Sequence, residues 1–168
     1  VNGQVGCRPI GVLMGLETSI HPFSNHPSWQ NLQALSPAER VTSIQQDEAL
    51  KRSLVEIRPN DPHTVWMTDA LSKSYELGNP PDYEPDPSYS IVSRATAEGR
   101  DAWDFALELL LKENGKAFLL YPFENYSGGN LEVVREMLQD EHTICGLGDA
   151  GAHVATICDV SYPTFLLT

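Results

Sequence analysis

A glycine-rich segment near residue 150 carries the residues whose types and spacing are best suited to chemistry. Asp149 follows a predicted buried strand, Thr143–Leu147, and His153 lies four residues further on. Catalytic groups of parallel α/β proteins gather where strands end, and glycines let the chain turn sharply there. We therefore predict that Asp149 is a catalytic or metal-contacting carboxylate and that His153 binds substrate. From spacing alone, a helix cap for Asp149 and a hydrogen bond within the turn for His153 are the alternatives.

The same segment matches Gly-x-Gly-x-x-Gly at Gly146, Gly148 and Gly151. A dinucleotide site also needs an acidic residue at a set distance inside a second βα unit, and none follows here. Nucleotide binding is therefore not predicted.

Two residues elsewhere are candidates for substrate binding. Arg8 ends the first predicted strand, where a guanidinium could pair bidentately with a substrate carboxylate, although a structural salt bridge explains it equally well. Tyr126, beside Asn125, could line the mouth of a site. A capped turn before the last helix is the favoured alternative for this pair.

The cysteines Cys7, Cys145 and Cys158 are odd in number and widely spaced. They form neither a disulfide framework nor a CxxC zinc pair, so we expect buried free thiols in a reducing compartment. A cysteine hydrolase using Cys145 or Cys158 with His153 is disfavoured because no base and orienting group is evident. Since no signal peptide is visible, the predicted location is cytoplasmic.

The elements that must position these residues alternate between strands and helices. Ser36 and Glu39 form a predicted capping box around Pro37, which is a strong helix start. Predicted helices cover 37–46, 48–57, 88–97, 102–114 and 131–138. Predicted strands cover Val1–Arg8, Lys116–Pro122 and Thr143–Leu147, with a short candidate at Val65–Met67 that Tyr75 partners. The segment around His21-Pro22 and His26-Pro27 is predicted to be irregular.

The segment Gly78–Pro87 is rich in proline and acidic residues and cannot form regular structure. A solvated loop is the simpler interpretation. A lid over a site is the functional one, because long irregular loops in compact domains are often functional.

Composition excludes several classes of protein. The 168 residues include 11 Lys or Arg and 23 Asp or Glu, for a net charge of −12, and 41% are hydrophobic. Such a chain can bury a core, but it lacks the basic footprint that nucleic acids and anionic membranes require. No apolar run approaches the roughly 18 residues of a membrane span.

The two ends suggest that the chain is a single fragment of a larger protein. It starts at Val1 inside a predicted strand and stops on the apolar run Pro163–Thr168. Natural domains rarely end on an unburied apolar stretch. The length is also short for a complete (β/α)₈ barrel, which needs roughly 250 residues.

Several motifs in the same order along the chain resemble those of one enzyme family. The strongest is Gly146-Leu147-Gly148-Asp149-Ala150-Gly151-Ala152-His153-Val154, with Thr156-Ile157-Cys158-Asp159 and Tyr162–Thr168 after it. The others are Arg8-Pro9-Ile10-Gly11, His21-Pro22-Phe23, Pro81–Pro85, Arg94-Ala95, Gly99-Arg100-Asp101 and Asn125-Tyr126. Together these motifs resemble the N-acyl-D-amino-acid deacylase (D-aminoacylase-like) branch of the amidohydrolase superfamily, over nearly the whole chain.

The resemblance implies an α/β fold, namely part of a metal-dependent (β/α)₈ amidohydrolase barrel with a large mixed α+β insertion. Residues 1–11 would hold barrel strand seven, and residues 12–125 would be an insertion or lid region over the mouth. Residues 126–168 would hold the last barrel helix, strand eight and the following loop.

The resemblance also implies a chemistry, the hydrolysis of a linear amide such as that of an N-acyl-D-amino acid. Asp149 would match the strand-eight aspartate that contacts the metal, takes a proton from the attacking water and passes it to the departing amine. Zinc would belong to the full-length parent, because zinc takes about four ligands and no His-x-His pair occurs in this chain. The 168 residues alone are therefore expected to bind no metal and to be inactive.

The expected partners are a small-molecule substrate and the remainder of the parent barrel. Open strand edges would also allow the chain to form a homo-oligomer. The rival hypothesis is a non-catalytic α/β module whose acidic loop, Gly78–Pro87, binds a partner.

Overall fold

The structure is a computed structural model that describes residues 1–146, 148 and 161–167. Its strands are Gly3–Val5 (β1), Ile10–Met14 (β2), Tyr75–Glu76 (β3), Leu119–Glu124 (β4) and Thr143–Cys145 (β5). Its helices are Pro27–Leu32 (α1), Pro37–Gln46 (α2), Glu48–Glu56 (α3), Pro62–Leu71 (α4), Ile91–Ala97 (α5), Ala102–Gly115 (α6), Glu132–Gln139 (α7) and Tyr162–Phe165 (α8). A 3₁₀ turn covers Pro87–Tyr89.

The strands form two separate sheets. β1 and β5 pair in parallel, with Gly3 opposite Thr143 and Val5 opposite Cys145, and α7 packs against both strands. β4 lies between β2 and β3 in an antiparallel sheet. The predicted mixed α/β class is therefore confirmed, while the strands among the described residues do not close into a barrel.

The main hydrophobic core lies within the middle of the chain. All its buried members fall between Val12 and Leu119, and all but Leu16 and Phe23 come from the antiparallel sheet and helices α1 to α6. Helix α6 supplies the largest share, and its Trp103 meets Phe23 edge-to-face with 5.8 Å between ring centroids. This core contains no residue of β1, α7 or β5.

The predicted helix starts are confirmed where a side chain caps the helix. Ser36 Oγ accepts a hydrogen bond from the Glu39 amide, and the Glu39 carboxylate accepts one from the Ser36 amide. Asp47 and Asp101 cap α3 and α6 in the same way as predicted. Each cap satisfies amide groups that a helix start otherwise leaves without partners.

Two local predictions are wrong. Val65–Met67 lies in α4 rather than in a strand, because Asp61 caps that helix and Pro62 occupies its first turn. Tyr75 accordingly pairs with Leu120 of β4. The segment predicted to be irregular at His26-Pro27 begins α1, since the His26 ring accepts a hydrogen bond from the Ser28 amide at 3.0 Å.

The strands are shorter than predicted, and β5 is not buried. β1 ends at Val5, before the turn that leads to Pro9, and β4 covers Leu119–Glu124. Ile144 at the centre of β5 is 50% exposed, so one face of the parallel pair is open in the described part of the chain.

None of the helices in the described ranges is long and apolar enough to cross a membrane.

Candidate functional site

The carboxyl ends of β1 and β5 lie side by side, because the two strands are parallel. Arg8 lies just beyond the end of β1. Asp149 and His153 follow β5 in sequence but lie outside the described residues, so their roles remain predictions. The described part of the site consists of Arg8 and the residues that surround it.

Arg8 is buried among aromatic rings. Its guanidinium carbon lies 3.9 Å from the ring centroid of Tyr83, 4.7 Å from that of Tyr162 and 5.6 Å from that of Phe165. The side chain is 2% exposed, and Nη2 donates a hydrogen bond to Ser161 Oγ at 3.0 Å. A planar cation suits this environment because guanidinium stacks on aromatic faces and is weakly hydrated. We call Arg8, Tyr83, Tyr162 and Phe165 the arginine cluster.

Helix α8 is hydrogen-bonded through Tyr162 to the residues that follow β1. The Tyr162 hydroxyl donates to the Pro9 carbonyl at 3.1 Å, and the Cys7 thiol donates to the Tyr162 carbonyl at 3.1 Å. Phe165 meets Tyr83 edge-to-face with 5.5 Å between centroids. The arginine cluster thus joins three parts of the chain that are far apart in sequence.

Tyr126 is buried beside the same loop that carries Tyr83. Its hydroxyl donates a hydrogen bond to the Pro85 carbonyl at 2.8 Å. Burial raises the pKa of this hydroxyl, and electrostatic interactions with Tyr75, Glu84 and other nearby acidic groups raise it further. A phenol that stays protonated is a permanent donor, so Tyr126 acts here as an anchor.

Both predicted substrate-binding residues that the structure describes therefore hold the loop Gly78–Pro87. The Arg8 guanidinium lies over the Tyr83 ring, and the Tyr126 hydroxyl donates a hydrogen bond to the Pro85 carbonyl. A third contact comes from the Leu131 amide, which donates to Glu84 Oε1 at 3.2 Å. The loop is held at the carboxyl end of the parallel pair through Tyr83 and Pro85, while most of its other residues are exposed to solvent.

A pocket of about 310 Å³ lies beside Tyr126. Aromatic rings line much of it, and Lys73 supplies its cationic group. Its other walls are the turn Ser127–Gly129 and the end of β4. The lining aromatic residues are Tyr75, Tyr121, Phe123 and Tyr126.

The buried histidines are structural in their contacts. His21 Nδ1 accepts a hydrogen bond from the Phe23 amide at 3.3 Å, and its ring meets Trp29 edge-to-face at 4.5 Å between centroids. Burial lowers the pKa of His21 to about 3, with smaller contributions from His63 and Arg40. His21 is therefore neutral under ordinary conditions.

The described residues do not fit a zinc ion. Within residues 1–146, 148 and 161–167, no group of three or more His, Cys, Asp or Glu side chains could hold a metal. Zinc takes about four ligands.

The sequence interpretation missed the aromatic residues that surround Arg8. Tyr83 and Tyr162 stood inside motifs that carried the family resemblance, but neither was singled out. Proline on both sides of Tyr83 was the available signal, since a large aromatic residue in a rigid, polar loop is often an anchor.

Comparison with models of known protein families, with curated proteins and with solved structures finds no match for this chain.

Proposed function

We propose that this chain is the strand-seven to strand-eight part of a metal-dependent amidohydrolase that cleaves a linear amide, with N-acyl-D-amino acids as the substrate class. The observation that carries the proposal is the parallel pairing of β1 with β5 across residues 6–142. The family resemblance assigns these two segments to neighbouring strands of a parallel barrel.

The connection between the two strands supports the same proposal. α7 comes directly before β5 and packs against both β1 and β5, which is the arrangement of a barrel helix and the strands it covers. A two-stranded parallel sheet with one open face is also an incomplete unit, because parallel sheets are normally covered on both faces. The remaining strands of the barrel would complete it.

In this proposal the carboxyl ends of β1 and β5 form part of the active-site mouth. Asp149 would take a proton from the attacking water and deliver it to the departing amine, which is otherwise a poor leaving group. His153 would contact the substrate from the same turn. Zinc, held by residues outside the described ranges, would supply Lewis-acid chemistry when bound.

Arg8 and Tyr126 would act on the substrate through the loop that they hold. Their contacts to Tyr83 and Pro85 keep Gly78–Pro87 over the mouth, where a closed loop excludes water from the reaction. The loop is thus proposed as a lid whose position is set by these two side chains.

The test is hydrolysis of N-acetyl-D-amino acids, with the L-enantiomers as counter-substrates, by the whole protein that contains this chain, supplied with Zn²⁺. Asp149→Asn should lower kcat/KM by at least about 10³-fold, because the amide isostere cannot accept the proton. The control is Asp69→Asn, at an exposed position of α4, which should leave the rate unchanged.

Full activity in Asp149→Asn would refute the assigned role of Asp149. A zinc-loaded whole protein that hydrolyses none of these amides would refute the enzyme hypothesis and favour the non-catalytic module.

A further inference from the structure

Two cysteines from opposite ends of the chain meet at the carboxyl end of the parallel pair. Val5 of β1 lies opposite Cys145 of β5, and the Gly146 amide donates to the Val5 carbonyl at 3.1 Å. Cys7 follows two residues after Val5. The β1–β5 register therefore brings Cys7 and Cys145 together across adjacent strands, although 137 residues lie between them.

The two thiols have different environments. Cys7 is buried and its thiol donates to the Tyr162 carbonyl, whereas Cys145 is exposed. Burial raises the pKa of Cys7, and the nearby Cys145 raises it further. Neither cysteine is in a disulfide.

We propose that Cys7 and Cys145 are a redox pair that hydrogen peroxide converts into a disulfide. The arrangement combines an accessible sulfur, which an oxidant can reach, with a protected sulfur beside it that can resolve the product. This inference is independent of the proposed hydrolase activity.

The chemistry proceeds in two balanced steps. The Cys145 thiolate attacks one oxygen of hydrogen peroxide, the O–O bond breaks, and Cys145 sulfenic acid forms while hydroxide leaves and is protonated to water. Cys7 then attacks the sulfenic sulfur, the S–O bond breaks, and a second water leaves with the proton from Cys7. The two thiols lose two electrons and two protons, and one peroxide becomes two waters.

Formation of the disulfide would also weaken the attachment of α8 to the end of β1. The Cys7 thiol would no longer have a proton to donate to the Tyr162 carbonyl, so one of the contacts between α8 and β1 would be lost. Tyr162 also lies on the Arg8 guanidinium. The redox pair is thereby coupled to the arginine cluster.

The experiment uses the full 168-residue chain carrying Cys158→Ser, so that only the two relevant thiols remain. After treatment with hydrogen peroxide, non-reducing peptide mapping should recover the Cys7 and Cys145 peptides as one species, two hydrogens lighter than their sum. Both free thiols should disappear, and dithiothreitol should restore them. The wild-type chain should give the same cross-linked species.

A second variant separates the roles of the two sulfurs. Cys7→Ser in the Cys158→Ser background should stop the reaction at Cys145 sulfenic acid, which dimedone traps, while Cys145→Ser should leave Cys7 as a thiol. Sulfinic acid on Cys145 with Cys7 still reduced, in the chain that retains both cysteines, would overturn the proposal. Cross-links only between Cys145 residues of two chains would overturn it equally.

Discussion

Arg8 contributes to stability through its shape as well as its charge. The guanidinium lies against Tyr83 and Tyr162 and donates to Ser161, so it fills a flat, buried space between loop and helix. Lysine would keep the charge but would neither stack on the rings nor reach the same partners, and an ammonium is more strongly hydrated.

We predict that Arg8→Lys lowers the free energy of unfolding by about 1–3 kcal/mol, because a buried cation–π contact is worth about 2 kcal/mol and ammonium burial costs more. Urea unfolding at neutral pH measures this change. Arg52→Lys, at an exposed position of α3, is the matched control and should change stability by less than about 0.5 kcal/mol. Equal stability of the two variants would show that the aromatic contacts to Arg8 carry no net energy.

His21 makes stability depend on pH. The pKa of His21 is about 3 in the folded chain and about 6.5 in the unfolded chain. Below pH 6.5 the unfolded chain therefore binds a proton at His21 that the folded chain does not bind. Stability that is present above pH 6.5 is therefore lost as the pH falls towards 3. Burial lowers the pKa values of His26 and His63 as well, which acts in the same direction.

We predict that the free energy of unfolding falls between pH 6.5 and 5, with His21 contributing a slope of up to about 1.4 kcal/mol per pH unit. His21→Asn keeps an acceptor for the Phe23 amide but cannot titrate, so its slope should be shallower. Urea unfolding at several pH values gives both slopes, and identical slopes for His21→Asn and the wild type would contradict the prediction.

At the scale of elements, the end of α6 depends on a glycine. Lys112 leaves helical geometry, Glu113 and Asn114 adopt positive φ, and Gly115 follows at φ 81°. A Cβ on Gly115 would overlap Cγ2 of Val41, which is buried in α2. Gly115 at the carboxyl end of α6 therefore packs directly against the core residue Val41.

We predict that Gly115→Ala lowers the free energy of unfolding by about 2–4 kcal/mol, because it combines positive-φ strain with overpacking. Gly99→Ala is the control: Gly99 has φ 66°, but nothing lies within 4 Å of its added Cβ. That variant should lose only about 1 kcal/mol, from strain alone. Thermal or urea unfolding compares the two, and equal losses would show that Val41 moves aside without cost.

Elements whose signals are local could be predicted from the sequence, and those decided by distant contacts could not. The capping box of Ser36 and Glu39 acts within four residues, so α2 was predicted with its correct bounds. Val65–Met67 has the β-propensity of a strand, but its capping residue lies outside that window at Asp61. This segment is helical because Asp61 caps the helix and because Met67 is buried in the core.

The candidate site shows the same division. Arg8 and Tyr126 were predicted to bind substrate, but their partners Tyr83 and Pro85 lie on a loop dozens of residues away. Side-chain type and spacing carry no information on which distant loop folds against a given strand. The pairing of β1 with β5 could likewise be anticipated only through the family resemblance.

At the scale of the whole molecule, the parallel pair β1–β5 is a part of the fold whose strand edges and one face are exposed. Among the described residues, β1 and β5 have no other strand beside them, and Ile144 presents an apolar side chain to solvent. Open strand edges pair with other chains unless they are covered or charged. In the proposed parent protein the rest of the barrel would cover them.

We predict that the isolated chain self-associates through this pair, with a sedimentation coefficient that rises with concentration. Ile144→Lys should reduce the association by at least about tenfold, because a charge on an open strand opposes pairing. Val65→Lys is the control, since Val65 is 66% exposed on α4, far from β5 in sequence. A monodisperse monomer at all concentrations would contradict the prediction.

The distance in sequence between β1 and its partners sets an order of events during synthesis. The core between Val12 and Leu119 can form once that stretch has left the ribosome. Arg8 and Ser161, by contrast, are 153 residues apart, which at 5–20 residues per second is a delay of roughly 8–30 s. In the last part of that interval, after Leu119 has emerged, β1 is attached to a folded core without its partner strand or α8. The nascent chain is then most exposed to misassembly, and a chaperone that shields residues 1–10 would be most useful at that stage.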